Sequence, residues 1–220
     1  MPDNAPAIQT PLPTAPIHAG ALFAWIAMQM LALLAGGFRV PLSARFPAPE
    51  EQMALHEMLV VQVVGAALLF PALFPTLANS VLAVAAVPVM TLLAAILASR
   101  APDRTLLEVA AYSSLWVAGL AAWANLLRTT RGKLYGVAVA TLLALGGAVL
   151  AYLNREFGAP TEAFDWSARG WLGPLVGGMS LIESEAGTGT AWAFLGSFLS
   201  VTVIGAGAVW WRGREKRSAP

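Results

Sequence analysis

The chain has 220 residues, of which 58% are hydrophobic and only 11% charged, and its net charge is +1. A soluble domain sits nearer ~45–50% apolar and ~25% charged, so the composition argues against a soluble domain, and the absence of a basic excess argues against a nucleic-acid partner. Cysteine is absent, which removes disulfides, thiolate metal sites, iron–sulfur clusters and a cysteine nucleophile.

Residues 1–18 carry Pro2, Pro6, Pro11, Pro13 and Pro16 and no Lys or Arg. They read as an extended arm. Long apolar blocks follow, at about 19–38, 53–77, 81–99, 105–127, 134–153 and 191–211. A spanning helix needs ~20 mostly apolar residues, and only helices and closed barrels satisfy their backbones in lipid. Barrel strands alternate over ~10 residues, and these blocks do not. The expected fold is therefore all-α: one polytopic transmembrane bundle of about six spans, with the bilayer as its solvent. A tight turn is expected near Asn79–Ser80, between the second and third blocks.

The long segment 154–190 reads as an outer loop. Within it, 170–182 (GWLGPLVGGMSLI) is apolar but too short to cross. That length suits an interfacial or re-entrant segment, or a lipid-facing loop over the end of the bundle. The chain closes with a basic tail, 212–220. Lys and Arg concentrate in cytoplasmic loops. The basic segments 128–133 and 212–217 fall on one side of a six-span bundle. Both termini are then expected in the cytoplasm, and a bacterial inner membrane suits a chain of this size and composition.

Polar groups in membrane segments are costly and mark candidate sites. His56 and Glu57 open the second block and Glu108 the fourth, on the same side of a six-span bundle. Gln62 lies deeper, and Tyr112 shares a helical face with Glu108. A histidine between carboxylates is suited to pass a proton or hold a cation. Alternatively, acidic groups near helix N-termini complement the helix dipole without further function. Pro71, Pro75 and Pro88 interrupt the second and third blocks, as in the broken helices of transporters, though proline kinks are also ordinary in membrane helices. In the outer loop, Asp165, Trp166, Arg169 and Trp171 offer a docking surface for a partner, or simply tryptophans at the interface. On the fourth block Ala110, Ser114, Ala118 and Ala122 recur every four residues, a ridge that permits close helix approach.

Catalytic signatures are missing: no Walker A, G-x-S-x-G, H-E-x-x-H or G-x-G-x-x-G occurs. No catalytic residue, metal ligand set or cofactor is therefore expected. The leading expectation is a non-catalytic membrane subunit or scaffold with protein partners in the membrane. A small transporter or ion/proton pathway through His56, Glu57 and Glu108 is the alternative. A membrane-embedded enzyme comes last.

Overall fold

A computed structural model describes residues 19–39, 53–74, 77–98, 103–127, 130–157, 173–183 and 188–218. Among these residues there are seven helices and no strand. They are α1 (Ala19–Arg39), α2 (Met53–Leu73), α3 (Leu77–Ala98), α4 (Asp103–Leu126), α5 (Thr130–Phe157), α6 (Pro174–Ile182) and α7 (Thr188–Ser218). Four contain stretches long and apolar enough to cross a bilayer: Met53–Phe70, Ala78–Leu97, Arg104–Leu126 and Ala191–Val209. The N-terminal arm, 1–18, lies outside the described residues. The basic segment expected as a tail is largely helical, since α7 continues to Ser218.

The surface is what a lipid-facing bundle requires. Phe23, Val89, Ile96, Leu142 and Ile204 are exposed on α1, α3, α5 and α7. Meanwhile Gln29, Gln62, Thr91 and Ser113 are buried. A water-soluble protein avoids such extensive apolar exposure, whereas lipid accepts it and drives polar side chains inward.

Side-chain contacts fix the helix directions. Gly65 of α2 lies against Trp25 and Met28 of α1, and Gln62 bonds Gln29, so α1 and α2 run antiparallel. Trp25 donates its indole N–H to the Ala83 carbonyl of α3 at 3.0 Å, and Leu33 clusters with Met90 and Ala94. α3 is therefore parallel to α1. Asn125 near the end of α4 bonds Ser80 near the start of α3, an antiparallel pair. α7 runs parallel to α4: Trp192 packs on Tyr112, Phe198 on Trp116, and Leu126 lies near Gly205. The starts of α2, α4 and α7 thus share one end of the bundle, here called the upper end.

Short polar side chains favour turns, and Asn79–Ser80 read as one. The structure instead places both inside the first turns of α3, buried at 2% and 3% exposure. The reason is tertiary. Asn125 donates to the Ser80 hydroxyl at 3.1 Å, so Ser80 has a partner across the helix pair and need not leave the helix.

α6 is the least ordinary element. It packs against α2, α4, α5 and α7, and most of its residues are buried. Gly173 faces Leu143 and Gly147, about midway along α5, while Glu183 reaches His56 near the start of α2. α6 therefore rises from mid-bundle to the upper end. Proline at its first position costs nothing there, because that N–H has no helical partner. The apolar segment 170–182 is thus no lipid-facing cover over its described length. It is short, but it packs as a core element.

Candidate functional site

Three places bring chemistry-bearing residues together, and the deepest is the α1–α2–α3 junction. Gln29, Gln62 and Thr91 are all at 1% exposure or less. The Gln62 amide nitrogen lies 2.9 Å from Gln29 Oε1, 3.0 Å from Thr91 Oγ1 and 3.2 Å from the Val87 carbonyl. The Thr91 hydroxyl is placed to donate to Gln62 Oε1 at 3.1 Å or to the Val87 carbonyl at 3.0 Å. Gln29 sends a longer bond, 3.4 Å, to the Trp25 carbonyl. Pro88 sits inside α3 one residue past Val87. Having no N–H, it withdraws the helical donor from the Val84 carbonyl. The helix around it is met by side-chain donors, Trp25 at Ala83 and Gln62 at Val87. Buried amides satisfied in this way hold the three helices in one register.

The second place is the upper rim. His56 is about four-fifths buried, and its Nε2 lies 3.4 Å from Glu183 Oε1. That is close enough for an ion pair when the imidazole is protonated, but the two are not aligned as a hydrogen bond. Glu108 pairs with Arg104 one turn earlier at 2.8 Å, on the surface. The candidate path residues are thus divided. His56 belongs with α6, Glu108 with its own helix, and Gln62 with the central cluster. Glu57 is half-buried beside His56. Tyr112 is fully buried, edge-on to Trp116 and Trp192, and its hydroxyl has no well-aligned hydrogen bond among the described residues. An exposed pair such as Arg104–Glu108 contributes little to stability. The same holds for His56–Glu183, whose glutamate is half exposed. Glu183→Gln is therefore expected to destabilise the purified protein by less than about 1 kcal/mol, read as a thermal shift in detergent. A collapse of the fold would show that this contact holds α6 in place.

The third place is a groove of about 350 Å³ on the outer face of the α3–α4 pair. Ala85, Ala118, Ala121 and Ala122 line it, with Val81 and Val84 beside them, and Ser80 and Asn125 stand at its lower end. The small-residue ridge divides here. Ala110 is buried in the core, and Ser114 returns its hydroxyl to the Ala110 carbonyl. Ala118 and Ala122 line the groove.

Asp165, Trp166, Arg169 and Trp171 lie outside the described residues. Among the described residues no group of three or more His, Asp or Glu is placed to hold a metal. Sequence reasoning missed Gln29 and Thr91. A lone amide in an apolar block and a threonine one turn after a proline were the available signals. No protein-family model, no curated protein and no solved structure matches the chain.

Proposed function

We propose that the protein is a six-span membrane subunit whose α3–α4 groove receives a membrane-spanning helix of a partner protein. The groove carries this reading. In lipid there is no hydrophobic force between helices, and association depends on close backbone approach and interhelical hydrogen bonds. Alanines along two helices supply the first, while Asn125 spends its amide hydrogens within the protein, on Ser80 and the Ala121 carbonyl. Shape separates a helix from an acyl chain only weakly. The small-residue lining favours the helix, because it lets a second backbone come close along both α3 and α4.

The six-span topology adds α1 and α5 to the four long apolar helices. Their apolar stretches are Ala19–Ala35 and Leu134–Val149, within helices of 21 and 28 residues. The alternating directions of α1 to α4 support it, and α6 is then a re-entrant half-helix. The α4–α5 connection and the end of α7 fall at the lower end, with the basic segments 128–133 and 212–217. By the positive-inside rule the lower end is cytoplasmic, in a bacterial inner membrane.

Filling the groove tests the assignment. Ala118→Leu and Ala85→Leu are expected to leave the fold intact, since both sites are partly open. They should abolish stoichiometric recovery of the partner when the tagged protein is purified from its native host in mild detergent. Undiminished recovery from both variants would move the interface elsewhere. A second reading, an ion pathway, is favoured by one observation: Gln62 sits in a buried polar cluster beside a proline-interrupted helix.

A further inference from the structure

The positive charge of the chain is gathered in two short segments. Seven of the 13 Lys and Arg lie in 128–133 and 212–217, with Glu215 as the one acid among them. The rest of the chain carries six Lys and Arg against eleven acids. The two segments are far apart in sequence and close in the fold. α7 runs parallel to α4, and Leu126, the last residue of α4, lies near Gly205 of α7. Only three residues separate α4 from α5, whose first turn holds Arg131 and Lys133. The fold therefore sets segment 128–133 beside the lower end of α7.

Depth decides what meets them. The apolar stretch of α7 ends at Val209. Trp210 and Trp211 follow, and tryptophan is enriched where a helix leaves the hydrocarbon. α7 then stays helical to Ser218. From Arg212 to Arg217 the helix rises about 8 Å, and one headgroup layer is about 5–8 Å deep. These basic turns cross the layer where lipid phosphates lie, instead of standing out in water where a soluble acidic partner would bind.

We propose that segments 128–133 and 212–217 together bind the headgroup of an anionic phospholipid at the lower end of the bundle. The lipid phosphate supplies the negative charge that the chain withholds here. Each Lys or Arg near an anionic lipid surface strengthens binding roughly fivefold. Convergence separates a defined site from diffuse attraction: one lipid between the two segments meets both, so each is needed. The proposal stands independently of the α3–α4 groove and of which side of the membrane the lower end faces.

The test offers the full-length protein, in mild detergent, equal amounts of phosphatidylglycerol and phosphatidylcholine with the same acyl chains. Retained lipid is counted by native mass spectrometry. The expected result is one phosphatidylglycerol per chain, preferred roughly tenfold or more. Two variants should each bring the ratio close to one. The first combines Arg128→Gln, Arg131→Gln and Lys133→Gln; the second combines Arg212→Gln, Arg214→Gln, Lys216→Gln and Arg217→Gln. Arg100→Gln with Arg104→Gln, at the upper end, should leave the preference intact. A ratio near one in the wild type, or a preference retained by either lower-end variant, overturns the proposal. So does displacement of the lipid by equimolar glycerol 3-phosphate, which assigns the site to a soluble phosphate. Should a variant fail to fold, single cysteines at Thr129, Ser218 and Leu97 decide, each carrying a photocrosslinker in vesicles of the same two lipids. Phosphatidylglycerol adducts enriched at Thr129 and Ser218 over Leu97 support the site, and equal adducts at all three refute it.

Discussion

Gly173→Ala is expected to unseat α6 and to destabilise the protein more than any other single-methyl change among the described residues. Gly173 has φ 134° and ψ 170°, a region that is almost exclusively glycine's and costs of order 1–3 kcal/mol for other residues. Space is also lacking. A Cβ there would lie 2.8 Å from the Leu143 carbonyl oxygen, a main-chain atom that cannot swing aside. The two penalties add, since relieving one by moving the chain displaces Pro174 and the start of α6. Gly178→Ala meets the middle of the same helix differently. Its Cβ would press on the Leu59 side chain, which is buried but able to change rotamer. The ordering expected from thermal melts is therefore Gly173→Ala worst, Gly178→Ala intermediate, and Gly196→Ala near wild type, since nothing lies within 4 Å of that position. Near-wild-type melting of Gly173→Ala would contradict the tight entry into α6.

Trp116→Ala is expected to cost about 3–5 kcal/mol, the range for deleting a buried tryptophan or phenylalanine side chain. Trp116 is fully buried. It stacks on Phe198 at 4.7 Å, tilts against Phe194 at 5.8 Å and meets Tyr112 at 6.3 Å. The substitution removes the ring that joins α4 to α7. α7 has few other anchors, with only 17% of its apolar stretch buried. Loss should therefore appear first as protease access to α7, before the remaining helices melt. Trp116→Phe keeps the stacking and should recover most of the stability. A uniform melt with no early cleavage of α7 would contradict this division of the bundle.

The all-helical architecture was legible because it depends on apolar block length, which the sequence displays directly. Boundaries were harder. Asn79 and Ser80 look like turn residues in isolation, and only Asn125, forty-five positions on, explains why Ser80 stays helical. The segment 170–182 is short enough for several fates. Its burial depends on glycines meeting Leu59 and α5, contacts that a linear reading does not contain. For the site, His56 and Glu108 stood out because charge in an apolar block is conspicuous. The i,i+4 spacing of Arg104 and Glu108 was a local signal for their pairing, but nothing local revealed that Glu183 lies against His56. Gln62 was visible, but its two side-chain partners come from α1 and α3. The ridge on α4 was legible as a packing face. That its lower half stays open beside α3 is a fact of three dimensions.

The absence of cysteine from the whole chain makes the most direct test of the partner assignment clean. Single cysteines are placed at Ala118, in the groove, and at Ile204, on the exposed face of α7, and a photoactivatable crosslinker is attached to each in native membranes. The account predicts one discrete protein adduct from Ala118, stoichiometric with the chain and lost when Ala85→Leu fills the groove, and none from Ile204. Lipid adducts alone from both positions, with the protein monomeric in mild detergent, would contradict it.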